Sequence, residues 1–197
     1  RCPVMRVIAG WLGGRVFDGP RGHRTHPMSE KARGAILLAL GDVEGLTFLD
    51  AYSGSGAIAI EAISRGAASV TAIDVDIDAV KTISQNVKSL AVEDRVQVLR
   101  KNISGWSRNN QARQFDIVVA DPPYDDIRPN VLERLIQHVK PGGIFVLSWP
   151  GSETPLVSTI TNGTRVVLAT SAELKGGFPG KITAERNGAK WVLSTAA

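Results

Sequence analysis

From Leu46 onward, short apolar runs alternate with stretches of helical periodicity. The pattern predicts strands at residues 47–51, 69–74, 95–99, 115–120 and 143–149, and helices near 56–65, 76–90 and 129–138. The run Phe115-Asp116-Ile117-Val118-Val119-Ala120 suits a strand buried on both faces. Repeated strand–helix units predict a parallel sheet covered by helices. After Gly163 the pattern changes. Residues 165–174 read as a strand, and 181–186 and 189–194 flank Asn187-Gly188, a dipeptide that closes tight hairpins. The sheet is therefore expected to begin parallel and to end antiparallel.

The first 45 residues read differently. Residues 6–10 and 14–17 form two short strand patterns with Gly13-Gly14 at their junction, so a small hairpin is predicted. Residues 18–27, rich in Gly, Pro, Arg and His, read as a loop. Ser29 is placed to cap a helix over residues 30–40, ended by Gly41. A boundary at 42–46 would divide the chain into a basic extension, residues 1–45, and a sheet domain, residues 46–197.

Charge sharpens that division. The chain of 197 residues carries a net charge of +4. Residues 1–33 hold seven Arg or Lys against Asp18 and Glu30, a local charge of +5, which leaves −1 for the remainder. A segment of this kind can follow a phosphate backbone. Composition is otherwise that of a globular protein, with 43% hydrophobic and 21% charged residues. No apolar run approaches the roughly 20 residues that cross a bilayer, so no membrane partner is expected. Cys2 is the single cysteine, and the three histidines lack metal-ligand spacing, so neither an intrachain disulfide nor a metal is expected. The opening Arg1-Cys2-Pro3-Val4 is too short and too polar for a secretion signal. Met5 is a plausible natural start, and a cytoplasmic location is the expectation.

The first chemical motif runs from strand to helix as Leu49-Asp50-Ala51-Tyr52-Ser53-Gly54-Ser55-Gly56-Ala57. Gly54 and Gly56 allow a sharp turn and a close ligand approach. The following helix offers free N–H groups at its start. Asp74 ends the next strand, eighteen residues beyond Gly56, where a carboxylate can accept from two ribose hydroxyls. An adenosine-containing cofactor is implied. Gly54-x-Gly56-x-x-Ala59 also fits a dinucleotide fingerprint, so the loop alone leaves the cofactor open. Asp50 favours S-adenosylmethionine, because its charge would attract an ammonium and a sulfonium and oppose a pyrophosphate.

The second motif, Asp121-Pro122-Pro123-Tyr124, follows the strand at 115–120 and so shares a sheet edge with the glycine loop. Two prolines stiffen the chain and remove two donors, leaving the Pro122 carbonyl free to accept. Asp121 supplies a second acceptor and Tyr124 a flat stacking face. The set suits a planar ring bearing an amino group. Two acceptors on its hydrogens return the nitrogen lone pair from the ring, and in-line approach to a sulfonium methyl does the rest.

These motifs, in this order, resemble a class I S-adenosylmethionine methyltransferase of the amino-methylating kind. More closely they resemble the RsmD family, bacterial methyltransferases of guanine N2 in small-subunit (16S) ribosomal RNA. The resemblance runs through Met5-Arg6-Val7-Ile8-Ala9-Gly10, the glycine loop, Glu61-Ala62-Ile63-Ser64-Arg65-Gly66-Ala67, Asn86, Phe115-Asp116 and the Asp121–Tyr124 tetrad, about residues 5–125. It implies a Rossmann-like fold with a seven-stranded, mostly parallel sheet, an antiparallel C-terminal hairpin and an N-terminal β-hairpin extension. It implies that Asp50, Ser53, Gly54, Gly56, Asp74, Asn102 and Asp121 hold the cofactor, and that Asp121, Pro122 and Tyr124 act on the amine. Asn102 is equally well placed as a helix cap. Arg6, Arg15, Arg24 and Arg33 would form an RNA-binding surface. Ribosomal RNA or the small subunit is the implied partner, and a monomer suffices.

The chain departs from the family at His26-Pro27-Met28 (Arg-Pro-Thr), Arg33-Gly34-Ala35 (Arg-Glu-Ala), Asp74 (Glu) and Ser148 (Glu). Lys175-Gly176-Gly177-Phe178 occupies the region of a Tyr-Gly pair, in a loop that could close over substrate. Trp11, Trp106, Trp149 and Trp191 are expected to pack, with Trp11, in the basic hairpin, the best candidate for base stacking. His23 and His26 read as loop or phosphate contacts. The alternatives are an amino-methyltransferase acting on adenine N6 of RNA or DNA or on a protein glutamine amide, a dinucleotide oxidoreductase, and a non-catalytic RNA-binding module.

Overall fold

A computed structural model describes residues 3–20, 28–123, 126–149, 165–170, 182–187 and 190–195. Arg24, Tyr124, His23, His26 and the loop at 175–181 lie outside the described residues, as do the side chains of Trp149 and Trp191.

The chain opens with β1 (Val4–Arg6) and β2 (Val16–Asp18), an antiparallel pair, followed by α1 (Glu30–Leu40). The main sheet is built from β3 (Thr47–Asp50), β4 (Ser69–Asp74), β5 (Val96–Arg100), β6 (Phe115–Ala120), β7 (Val139–Trp149), β8 (Arg165–Thr170), β9 (Ile182–Asn187) and β10 (Lys190–Thr195). Between them lie α2 (Ala57–Ser64), α3 (Ile77–Ser89), α4 (Ile103–Asn109) and α5 (Pro129–Ile136). The strand order is β10-β9-β8-β7-β6-β3-β4-β5. The five strands β5-β4-β3-β6-β7 pair in parallel, β8 continues the parallel run, and β9 and β10 are antiparallel. The sheet thus has eight strands rather than seven, because the strand at 165–170 adds to β7 before the antiparallel pair begins.

Side chains alternate between two apolar layers, as a doubly covered sheet requires. Phe48, Val70, Ala72, Ile117, Val119, Ile144 and Val146 face one layer with α1, α2 and α3. Leu49, Ile73, Val118, Phe145 and Leu147 face the other with α4 and α5. Ser29 caps α1 by accepting from the Ala32 N–H at 3.1 Å, and Gly41 ends it at φ +77°. The helix α4 is capped by Asn102 but has little intrinsic helix preference. Its Ser, Gly and Asn residues are poor helix formers, and the burial of Ile103 and Trp106 stabilises it instead. Trp106 packs tilted against Phe115, 6.4 Å between ring centroids. Among the described residues no helix is long and apolar enough to cross a membrane.

The N-terminal hairpin is shifted from the predicted 6–10 and 14–17. Its ladder continues toward the turn through Val7 N–H to the Arg15 carbonyl (2.8 Å) and Gly14 N–H to the Val7 carbonyl (2.9 Å). It is not a separate unit. Met5, Val7, Leu12 and Phe17 are buried in the same layer as Phe48 and Ile60, so the core does not divide at 42–46.

A buried ion pair fixes the hairpin to α2, and here one sequence expectation is overturned. Arg33 is no RNA contact: it is fully buried. Its Nε donates to Glu61 Oε1 at 3.1 Å, and its Nη2 donates to the Arg6 carbonyl at 2.6 Å. The guanidinium lies 5.8 Å from the Phe17 ring centroid. Glu61 Oε1 also accepts the Ile8 N–H at 2.7 Å, and Oε2 faces Arg65 Nε at 3.8 Å. The family's Arg at this position is therefore structural in this chain, an internal counter-charge for Glu61.

Removing one partner of such a pair strands the other in the core. Glu61→Gln is expected to cost about 3 kcal/mol, a fall in melting temperature of about 6–12 °C. The double variant Arg33→Leu/Glu61→Leu should recover part of that loss. Thermal unfolding by circular dichroism decides it, and a Glu61→Gln loss under about 1 kcal/mol would show that the pair does not anchor the hairpin.

Candidate functional site

The chain runs outward from β3 to β4 and β5, then returns to the other side of β3 to lay down β6. The carboxyl ends of β3 and β6 therefore flank a topological switch point, the place where open α/β sheets bind ligands. A cavity of about 310 Å³ lies there, with Asp50, Ser53, Gly54, Asp74, Asn102 and Asp121 among its walls. The sequence placed all six of these residues at the site.

The glycine loop is held by backbone bonds to the strands on both sides. Ala51 N–H donates to the Val119 carbonyl at 2.9 Å and Ser53 N–H to the Ile73 carbonyl at 3.0 Å. Gly54 N–H donates to Asp74 Oδ2 at 2.8 Å, and Asp74 Oδ1 accepts the Asp76 N–H at 2.9 Å. The two glycines serve different ends. A Cβ on Gly54 would meet nothing within 4 Å, so that position lies open. A Cβ on Gly56, at φ +80°, would sit 2.4 Å from Ile83 of α3. Gly56 is required by the turn and by helix packing, and not by ligand approach as the sequence implied.

The cavity is strongly acidic. Its walls include Asp50, Asp74, Asp76, Asp121 and Asp126 against Lys101 and Arg128. Arg128 is already engaged by Asp126 in two hydrogen bonds, at 2.8 and 3.0 Å. Asp50 is buried, and burial first, then the nearby Asp121 and Asp74, push its carboxyl from 3.8 up to about 8, against the lowering effect of the Ala59 N–H. Its Oδ2 and the buried Ser53 Oγ have no hydrogen-bond partner. Burial also raises Asp121, while a hydrogen bond from the Ser148 hydroxyl favours its charged form. Asn102 accepts from Gly105 N–H at 3.2 Å and so caps α4 while its side chain stands at the cavity wall.

Other placements differ from the sequence reading. Pro122 is buried, and Pro123 rather than Pro122 lines the cavity. Arg6 and Arg15 are exposed on the hairpin. Sequence reasoning missed Tyr52, although it lies inside the glycine-loop motif, and Lys101, Asp126 and Arg128, which no motif marks. It also assigned no partner to Ser148, whose position at the end of a strand beside β6 was its only signal.

Residues 5–162 match the family described as conserved hypothetical protein 95. The chain belongs to this RsmD-type family. YlbH of Bacillus subtilis, provisionally named an rRNA methyltransferase, is 31% identical over 79% of this chain and 88% of its own length. The Ribosomal RNA small subunit methyltransferase D of Buchnera aphidicola is 30% identical over 60% of this chain and 62% of its own length, just under two thirds of that relative. The solved structure of YhhF from Escherichia coli, provisionally named a methyltransferase, superposes with a TM-score of 0.59 at 21% identity, over 95% of this chain and 94% of that one. The last likeness speaks to the fold, and the RsmD-type chain shares its Rossmann-like layering.

The raised Asp50 gives this RsmD-type chain a pH signature. The folded carboxyl holds its proton to about pH 8, whereas an unfolded one releases it near 3.8. Stability conferred by the proton is complete below the unfolded value and is lost as pH rises through the folded one. Asp50→Asn mimics the protonated form. The variant should match the parent's melting temperature near pH 4 and exceed it by roughly 10 °C or more at pH 9. Parallel melting curves across that range would sink the assignment.

Proposed function

We propose that the protein transfers a methyl group from S-adenosylmethionine to the exocyclic N2 amine of a guanine in small-subunit (16S) ribosomal RNA. The observation that carries the reading is the acidic cavity at the switch point, where burial first, and then Asp121 and Asp74, push Asp50 up to about 8. A ligand bearing an ammonium and a sulfonium supplies that charge, and a dinucleotide's pyrophosphate would add to the repulsion. The unpartnered Asp50 Oδ2 and Ser53 Oγ are buried acceptors, which fits a donor-rich ligand end.

Asp50, Ser53, Gly54, Asp74 and Asn102 would hold the cofactor, and Asp121 would border it. When bound, it supplies a methyl group on a good leaving group. Asp121 would accept an amine hydrogen and draw the nitrogen lone pair out of the ring. The nitrogen gains one bond to carbon and releases one proton. Asp121, raised by burial and steadied by Ser148, is suited to receive that proton on a carboxylate oxygen. Tyr124, the last residue of the motif, would stack on the base. Membership of the RsmD-type family, the similarity to the Ribosomal RNA small subunit methyltransferase D of Buchnera and the positive excess of residues 1–33, +4 once the buried Arg33 is set against Glu61, support ribosomal RNA as the acceptor. The target base must be turned out of its stack to reach the cavity.

The test is methyl transfer from labelled S-adenosylmethionine to small subunits and to naked ribosomal RNA from cells lacking the protein. Label should appear in N2-methylguanosine and fall at least about 100-fold in Asp121→Ala. Label in N6-methyladenosine would keep the chemistry and overturn the acceptor. No label in RNA, with the cofactor still bound, would overturn the RNA reading in favour of a protein or DNA acceptor.

A further inference from the structure

The N-terminal hairpin presents an unusual surface. Seven large apolar side chains are exposed among the described residues, and four of them, Val4, Ile8, Trp11 and Val16, belong to this hairpin. Trp11 is the largest. It is 59% exposed, yet it is held in place. Its indole N–H donates to the Ile63 carbonyl at 3.1 Å, and its backbone N–H donates to the Ser64 carbonyl at 2.9 Å. The next residue, Leu12, is buried and donates its N–H to Ser64 Oγ at 3.0 Å. The ring's only donor is satisfied, so what it offers to solvent is a flat apolar face in a fixed orientation. A face fixed in advance loses little entropy when something stacks on it.

The surroundings select what stacks there. Arg6 and Arg15 are exposed on the same hairpin, and residues 1–33 hold the chain's whole positive excess. An aromatic face on the same hairpin as exposed arginines suits unpaired nucleotides, with bases on the ring and phosphates on the cations; Arg6 meets one competing carboxylate, Glu30, at 3.5 Å on the surface. Charge favours a polyanion here over a protein surface. Position separates this face from the reacting site. Trp11 rests on the carboxyl end of α2, whose other end opens beside the cavity, and an eight-residue helix spans about 12 Å.

We infer that Trp11 is a stacking platform for an unpaired base of the RNA, outside the nucleotide that enters the cavity, with Arg6 and Arg15 on the adjoining phosphates. The inference rests on the reading of the substrate as RNA. It extends that reading to a second contact remote from the chemistry.

The experiment measures fluorescence anisotropy of a fluorescein-labelled, single-stranded oligoribonucleotide of mixed sequence. Trp11→Ala and Trp11→Leu should bind the probe about 10-fold more weakly than the parent. Trp11→Phe, which keeps a ring and loses the N–H, should stay within about threefold. All three should bind S-adenosylhomocysteine as the parent does, which reports that the fold is intact. Trp11→Ala binding the probe as tightly as the parent would overturn the inference, and so would Trp11→Leu matching Trp11→Phe, because apolar area alone would then account for the effect. The two readings fail separately. Probe binding that depends on Trp11, with no methyl transfer to RNA, would sink the reaction and keep the platform. Methyl transfer with no dependence on Trp11 would do the reverse.

Discussion

Three carboxyl groups from neighbouring strands line one cavity, and the burial of Asp50 beside the other two is the constraint around which the site is organised. Asp50 ends β3, Asp74 ends β4 and Asp121 follows β6. Each is accommodated differently. Asp74 is satisfied by the backbone, with Gly54 N–H on one oxygen and Asp76 N–H on the other. Asp121 takes a hydrogen bond from Ser148 on the next strand. Asp50 is the most buried of the three, keeps one oxygen unpartnered, and answers by holding its proton. A cavity lined by this many carboxyl groups favours a sulfonium-bearing ligand over a dinucleotide's pyrophosphate.

A second constraint joins this site to the hairpin. The Asn86 side chain accepts the Asp18 N–H at 2.9 Å and donates to the Asp18 carbonyl at 2.8 Å and to the Ser55 carbonyl at 3.0 Å. One amide thus ties the end of β2 to the glycine loop. Glu61, on the helix that follows that loop, accepts the Ile8 N–H and the Arg33 guanidinium. The basic extension is therefore held against the cofactor end of the sheet by buried polar groups, whose loss is costly because water cannot replace them. A hairpin held this firmly acts as a fixed ruler between the cavity and whatever it binds.

Much of this was legible in the sequence, and the reasons are local. The strands at 69–74 and 115–120 were read to the residue because both are flanked by turn signals and buried on both faces. The glycine loop and the Asp121 motif were found because strand-end chemistry in a parallel sheet collects at one edge. Arg33 was misread because its partner, Glu61, lies twenty-eight residues away, and a charge in an amphipathic helix gives no sign of whether it meets water or a buried carboxylate. The helix α4 was missed because its stability comes from Ile103 and Trp106 packing rather than from propensity. The chain's own pattern gives eight strand segments after Leu46 whereas the resemblance implied seven, and only pairing shows where β8 attaches. The rise of Asp50 was out of reach for the same reason. It depends on burial and on Asp121, seventy-one residues along the chain.

The distribution of charge also bears on how an RNA could use the site proposed for it. The cavity's carboxylates would repel a phosphate as strongly as they would attract a sulfonium, whereas a neutral base meets no such barrier. The positive excess sits on the extension, which the buried Glu61 and Asn86 contacts hold in a set relation to the cavity. A nucleotide would then enter base first, its backbone left outside on the basic hairpin. That division gives each part of the chain one task. The extension would supply affinity without reading the target, and the acidic cavity would admit a planar amine-bearing ring while keeping the sugar-phosphate chain out. It also explains why the aromatic face at Trp11 is useful where it is. A base stacked about 12 Å from the cavity mouth would fix the strand that carries the target without competing with it for the site.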